Sequence, residues 1–283
     1  MTEVAPAKSD SSFKTRMKSA AIFGPAVLAV IGFGGGAFHL MMAAAAAVSA
    51  NEWCKMVLKD QKVPTHLINL VTGLAGLAVL TAGMVLNPVT SLWFLLSLCF
   101  LIFAYNYSQH GPSLKNVFIG LVYIGFSIDV MVWLRAGSST QGLYQFVTLL
   151  FIVWGSDVFA YLTGRAIGGP KLAPSISPKK TWAGFIGSSL GAGLIAAGLS
   201  LAPVTAMLGV KTVGGMGPAG YFIMAAILAM FGQAGDLLIS IFKRHYGVKD
   251  TGSLIPGHGG ILDRIDALLL VAYLFGMIVM TAG

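Results

Sequence analysis

Residues 240–266, SIFKRHYGVKDTGSLIPGHGGILDRID, hold a combination of side chains that could work on phosphates. Four cations, Lys243, Arg244, Lys249 and Arg264, lie among three carboxylates, Asp250, Asp263 and Asp266, and two histidines, His245 and His258. Carboxylate oxygens are hard ligands suited to magnesium. Lysine and arginine suit the phosphate oxygens that such a metal also touches. Phosphoryl chemistry needs mainly positioning and charge neutralisation, and this set supplies both. Gly247, Gly252, Gly257, Gly259 and Gly260 argue against one long helix and allow backbone to approach a ligand closely. Asp263 and Asp266 open the following apolar run at i and i+3, so they share a helix face. The helix dipole alone would also favour them there. His258 either orients a phosphate or is structural. The His/Cys spacing of a zinc site is absent.

Polar groups elsewhere could complete such a site. Asp236 lies in GQAGDLLISIFKR with Ser240 four residues on, on the same face. Asp157 and Tyr161 are related in the same way in WGSDVFAYLTGR, which ends at Arg165. Ionisable groups inside apolar spans are costly and point to function, although a buried aspartate can also be satisfied by neighbouring hydroxyls or cations. Asp129 is read more simply, as snorkelling to a surface or pairing with Arg135. Residues 168–182, GGPKLAPSISPKKTW, carry Lys171, Lys179 and Lys180. Ser177 is expected to cap the next helix with Pro178 at its first position, and Thr181 follows the lysine pair. A helix start beside two lysines suits a phosphate, and the same lysines would also serve as a cytoplasmic anchor.

The elements that must position these groups are hydrocarbon. The chain has 283 residues, 56% hydrophobic and 10% charged. About a quarter of a soluble domain is charged, so an integral membrane protein is expected. The formal charge of +8 lies beside apolar runs and suits anionic lipid and phosphate partners rather than nucleic acid. Cys54 and Cys99 suggest no disulfide framework. Residues 1–19 read as a disordered cytoplasmic tail, because the apolar run after it continues to about Ala50 without a clear cleavage site. Glycines near 32–36 divide that run into helices at about 20–33 and 37–51. Further spans are expected near 67–86, 89–105, 116–134, 141–163, 181–202, 218–242 and 264–282. The fold class is thus all-α and polytopic, with about nine transmembrane helices. Five lie within 20–135. Four lie in a catalytic region, 141–283, with cytoplasmic loops 164–180 and 243–263.

With the N-terminus in the cytoplasm, 16 of the 18 lysines and arginines fall on the inner side and only Arg135 and Lys211 outside. A miscounted central span would scramble that bias. It puts residues 243–263 on the cytoplasmic face, where nucleotides are available. Small-residue faces such as Gly187, Gly191 and Gly193 suit helix packing within one chain or in a homodimer.

Ser240-x-Phe242-Lys243-Arg244, four residues, Lys249-Asp250-x-Gly252, then Ile255-Pro256-x-His258-Gly259-Gly260-Ile261-x-Asp263-Arg264-Ile265-Asp266 resembles the signature of phosphatidate cytidylyltransferases, or CDP-diacylglycerol synthases. The resemblance extends to SPKKTW and the Asp157–Arg165 segment, roughly the C-terminal half. It implies CTP and phosphatidic acid as substrates, CDP-diacylglycerol and pyrophosphate as products, and a site open to the cytoplasm and the bilayer, here a bacterial inner membrane. It implies Mg2+, together with a second, monovalent cation such as K+. By motif position, Asp236 and Asp263 resemble the metal-binding carboxylates, and Asp266 and Asp157 look like supporting acids. Lys179, Lys180, Lys243, Arg244, Lys249 and Arg264 would hold phosphates. Ser177, Thr181, Ser240, Asp250, His258, Gly259 and Gly260 would complete the substrate site. Many members carry glutamate where Ala183 and Ile239 stand here, which bears on metal affinity or substrate preference. Two other classes fit the composition. One is a related CTP-dependent lipid enzyme, such as a polyprenol kinase or a cytidylyltransferase for another lipid phosphate. The other is an anion transporter, whose repeated broken helices the sequence does not show.

Overall fold

In the computed structural model the described residues are 9–61, 64–85, 113–135, 139–255, 257 and 259–282. They form helices α1 (Ser9–Phe33), α2 (Gly35–Val57), α3 (Thr65–Val85), α4 (Ser113–Leu134), α5 (Thr140–Ile167), α6 (Trp182–Leu199), α7 (Ala202–Leu208), α8 (Pro218–His245) and α9 (Leu262–Ala282). A two-stranded hairpin, β1 (Lys171–Ala173) and β2 (Ser177–Thr181), lies between α5 and α6. α4, α5, α6, α8 and α9 are each long and apolar enough to cross a membrane. The chain is therefore a mostly helical, polytopic membrane protein. The expected span at 89–105 falls outside the described residues.

Three expectations change. The segment expected as a disordered tail is helical from Ser9 onward, continuous with the apolar run that follows. Residues 177–181 are a strand rather than a helix start. The antiparallel register pairs Ala173 with Ser177 and Lys171 with Thr181. Thr181, not Ser177, caps α6: its backbone is extended and its Oγ1 accepts from Gly184 N at 3.1 Å. A tight PSIS turn and a proline without an N–H favour a short hairpin over an early helix. Finally, α2 runs to Val57, past its expected end at residue 51, because Trp53, Cys54, Met56 and Val57 continue its buried face.

The break between α1 and α2 does fall at the glycine cluster. Gly34 and Gly35 have φ of 65° and 57°, left-handed conformations that glycine adopts without strain. Arg135, 2% exposed, donates from Nε to Ile31 O at 2.9 Å and from Nη2 to Gly32 O at 3.0 Å. It thereby satisfies carbonyls that the end of α1 would leave unpaired. Asp129 is also enclosed by protein and does not snorkel to a surface.

The second half is a tight cluster in which α5 packs on α6, α6 on α8, and α8 on α9. Small residues make these approaches possible. A Cβ on Gly187 would overlap Thr163, and one on Gly191 would overlap Phe159, both on α5. A Cβ on Gly193 would come 2.8 Å from the Phe222 ring on α8. The stripe expected to serve contacts within or between chains is thus used within one chain. Gly191→Ala is expected to cost about 1–3 kcal/mol through overpacking. Gly198→Ala, where the added methyl meets nothing within 4 Å, should melt as wild type in the same detergent.

The first half is joined to this cluster by buried Trp53. Its Nε1 donates to Asn116 O at 2.9 Å, and its ring meets Phe242 edge-on at 4.8 Å. Asn116 Nδ2 in turn donates to the Tyr246 hydroxyl at 2.7 Å, and Lys59 Nζ to Tyr246 O at 3.2 Å. The end of α8 is therefore anchored on α2 and α4.

Candidate active site

The carboxylates foreseen from sequence line one cavity. A cavity of about 370 Å³ is lined by Asp157 from α5, Asp236 and Lys243 from α8, Asp250 from the loop, and Asp263, Arg264 and Asp266 from the start of α9. α8 and α9 can bring their acids together because Gly232 and Gly235 leave no side chain between them. A Cβ on Gly235 would lie 3.0 Å from Asp266 O.

Asp263 is the most heavily bonded of these groups. Its Oδ1 accepts from Lys243 Nζ at 2.8 Å in a buried ion pair, with the two side chains 2% and 10% exposed. Its Oδ2 faces Thr251 N at 2.8 Å, Thr251 Oγ1 at 3.0 Å and Gly260 N at 3.0 Å. Asp236 is more open. Its Oδ2 pairs with Lys180 Nζ at 2.6 Å, and its Oδ1 accepts from Ser240 Oγ at 3.3 Å. Lys180 also reaches Gln233 O at 3.4 Å. Asp266 accepts from its neighbour Ala267 N at 2.8 Å.

A second cavity, of about 340 Å³, adjoins the first. Asp157 lines both, together here with Tyr161, Arg165, Lys179, Lys180, Thr181 and Gln233. The hairpin places Lys179 and Lys180 at its wall. Arg165 Nη1 donates to the Tyr161 hydroxyl at 2.8 Å, which holds the guanidinium at the mouth.

Several expected site residues act differently or stand apart. Arg244 is exposed and turned toward the hairpin, donating from Nε to Ile176 O and from Nη1 to Val248 O, both at 3.4 Å. Lys249 is exposed and lines neither cavity. Ser177 lies in β2 as a hairpin partner. Gly259 closes a bridge to Ile255, accepting from Ile255 N at 3.0 Å, while Gly260 N serves Asp263. His258 falls outside the described residues. Ile239, where glutamate was noted in similar sequences, is buried at 1% exposure; Ala183 accepts from Thr163 Oγ1 through its carbonyl at 3.2 Å.

Two residues escaped the sequence reading. Glu52, one of two glutamates in the chain, lies near the end of α2 and is 7% exposed. It accepts from Ile261 N at 3.0 Å, Leu262 N at 2.9 Å and Thr251 Oγ1 at 3.1 Å. Thr251 thus lies between Glu52 and Asp263. The available signal was an acid in the apolar series Ala46, Ala50, Trp53, where burial of a charge calls for partners.

The donor set fits magnesium by its chemistry: hard oxygens of Asp157, Asp236, Asp263 and Asp266 line one cavity, with cations for anionic ligands beside them. Among the described residues, no three acids already converge as a ready ligand group. The comparisons bear on what such a cavity serves. The profile of the Cytidylyltransferase family matches residues 14–282, nearly the whole chain. The chain belongs to that family. It is an enzyme of the nucleotidyltransferase class. A phosphatidate cytidylyltransferase of Brucella abortus is 36% identical over 280 residues, covering 95% of this chain and 94% of the relative. Phosphatidate cytidylyltransferases of Rickettsia typhi and Rickettsia bellii are 41% and 40% identical over 167 residues, in each case 70% of the relative and 58% and 59% of this chain. The matched range reaches back to residue 14 and so spans the helices that anchor α8.

Proposed function

We propose that this chain transfers CMP from CTP to phosphatidic acid, giving CDP-diacylglycerol and pyrophosphate. The observation that carries the reading is the pair of adjoining cavities that share Asp157 and meet across the Lys180–Asp236 ion pair. Transfer between two phosphate-bearing substrates needs two anion sites side by side. One here is rich in carboxylates and would take a phosphate through a bound cation, and the other is rich in lysine and arginine. The 36% identity to a phosphatidate cytidylyltransferase over 95% of the chain points to the same substrates.

In the reaction, a phosphate oxygen of phosphatidic acid forms a bond to the α-phosphorus of CTP as the bond to pyrophosphate breaks. The attacking phosphate is already ionised at neutral pH, so no general base is required. Asp236 and Asp263 would hold magnesium, which when bound neutralises phosphate charge and polarises the reacting phosphorus. Lys243 orients Asp263 and adds positive charge at the base of the cavity. Lys179, Lys180 and Arg165 neutralise the phosphate that enters the second cavity. Arg264 lines the first cavity and would neutralise charge on the leaving group. Asp157 and Asp266 complete the acidic wall.

The 16-to-2 bias of basic residues supports nine spans with the N-terminus in the cytoplasm, and a site facing the cytoplasm from a bacterial inner membrane. The test is an assay of purified protein with labelled CTP, phosphatidic acid and magnesium. Lipid-linked CMP is expected, lost with EDTA and restored by added magnesium. Phosphate transfer to a lipid alcohol would instead show a kinase. Uptake into vesicles without turnover would show a transporter. Turnover that persists in EDTA would overturn the metal assignment.

A further inference from the structure

We infer that Glu52, from the N-terminal half of the chain, is a positioning residue for the carboxylate site: it fixes the loop that holds Asp263 in place. The inference rests on the reading of the Asp236–Asp263 cavity as the catalytic site.

The start of the loop between α8 and α9 is packed on the core through Tyr246 and Val248, but its middle is not. On the side away from the carboxylates, residues 251–254 border a cavity of about 730 Å³ that reaches to α2 and α3. Hydrogen bonds hold this part of the loop instead: Asp263 takes the Thr251 and Gly260 amides, and Glu52 braces the same segment from outside. Glu52 Oε1 accepts from Ile261 N, and its Oε2 from Leu262 N and Thr251 Oγ1. Ile261 and Leu262 are the residues at which α9 begins, and their amides are among those a helix start leaves without an intrahelical partner. A carboxylate there also complements the positive end of the helix. Glu52 therefore sets both where α9 starts and where the Thr251 side of the loop lies. Asp263 is the next residue of that helix.

Glu52 borders the 730 Å³ cavity on one side and fits closely against two glycines of the loop on the other. A Cβ on Gly252 would lie 2.6 Å from Glu52 Oε1, and one on Gly260 would overlap Glu52 Oε2. Neither glycine has a positive φ, so it is space for the carboxylate, not backbone freedom, that calls for glycine at these two positions. The Thr251 hydroxyl has a single proton and two carboxylate oxygens in reach, Glu52 Oε2 at 3.1 Å and Asp263 Oδ2 at 3.0 Å. It can donate to one of them at a time, so the coupling to Asp263 runs mainly through the Ile261 and Leu262 amides that Glu52 holds, with Asp263 the next residue of the helix. Glu52 is itself rigidly mounted, beside Trp53, which is fixed to Asn116 and Phe242.

Glu52→Gln tests this with almost no change of shape. Either orientation of the amide turns an NH2 group toward a backbone N–H, of Ile261 or of Leu262, so one of the three contacts is lost whichever way it lies. Outer residues that orient metal-binding groups typically change metal affinity or activity by about 10–100-fold. Glu52→Gln is expected to weaken Mn2+ binding, followed by electron paramagnetic resonance on the folded protein, by about tenfold or more. It should also lower kcat and raise the magnesium concentration for half-maximal rate. Thr251→Val, which keeps the Glu52 bonds to Ile261 and Leu262 and removes the hydroxyl from both Glu52 and Asp263, should shift Mn2+ affinity the same way by less. It keeps the test open if Glu52→Gln folds poorly. Unchanged Mn2+ affinity in both variants overturns the inference. So does a loss of activity that follows only the folded fraction, with the half-saturating magnesium unchanged. If Glu52→Gln weakens Mn2+ binding but the wild type makes no lipid-linked CMP, the positioning role stands and the reading of the reaction fails.

Discussion

Asp263→Asn is expected to abolish turnover and to destabilise the protein together, and the two effects can be separated. The activity loss should be on the order of 1000-fold, the scale of removing a preorganised electrostatic group from a transition state. The stability loss has a different origin. Lys243 is buried, and its ammonium faces Asp263 Oδ1 at 2.8 Å. Asparagine would keep an oxygen for the amides of Thr251 and Gly260, but it would then turn its NH2 toward the Lys243 ammonium, donor against donor. Stranding one charge of a buried pair costs about 3–5 kcal/mol. A thermal melt in detergent should therefore drop markedly for Asp263→Asn. It should drop less for Lys243→Met, because Asp263 keeps the Thr251 and Gly260 amides as donors. The double variant Lys243→Met, Asp263→Asn should recover most of the stability and none of the turnover. Near-normal turnover in the single variant would remove Asp263 from the site. Recovered turnover in the double variant would reduce it to a counter-ion for Lys243.

The sequence made the C-terminal half largely legible, for a physical reason. In an apolar chain, charged residues are few and costly to bury, so Asp157, Asp236, Lys243, Asp263 and Asp266 stand out. The helical period places them on common faces, and the structure brings all five to one cavity. What the sequence did not settle was local or long-range. The SPKKT segment became a strand, because proline spacing identifies a turn without saying which element follows it. Arg244 and Lys249 carry the right charge but lie outside the cavities, and charge along a sequence does not fix direction around a helix end or loop. Glu52 was the largest omission. Its partners are about 200 residues away, at Thr251, Ile261 and Leu262. No spacing rule connects them. The same limit made the N-terminal half look like plain hydrocarbon, when in the structure it supplies the anchor for α8 through Trp53 and Asn116 and the brace for α9 through Glu52.

Asp236→Asn is the cleaner test of the metal assignment, because it should remove activity and leave the fold alone. Asp236 carries a 33% exposed side chain, and Lys180, its partner, is 18% exposed. Ion pairs with this much access to water typically contribute no more than about 1 kcal/mol, so the melt should barely move. The freed Lys180 also keeps Gln233 O as an acceptor at 3.4 Å. Turnover should nevertheless fall on the order of 100- to 1000-fold, since a hard oxygen ligand becomes a neutral amide where charge must be balanced. Mn2+ binding should weaken in parallel. Lys180 and a metal compete for the same carboxylate, so Lys180→Met should move Mn2+ affinity the opposite way, tightening it in the absence of nucleotide. It should still lower turnover, because the second cavity loses a phosphate cation. Opposite signs on metal affinity with the same sign on turnover would show that Lys180 exchanges Asp236 for substrate phosphate when the site fills. Should Asp236→Asn retain wild-type Mn2+ affinity, the ligand must be sought among Asp157, Asp263 and Asp266 instead.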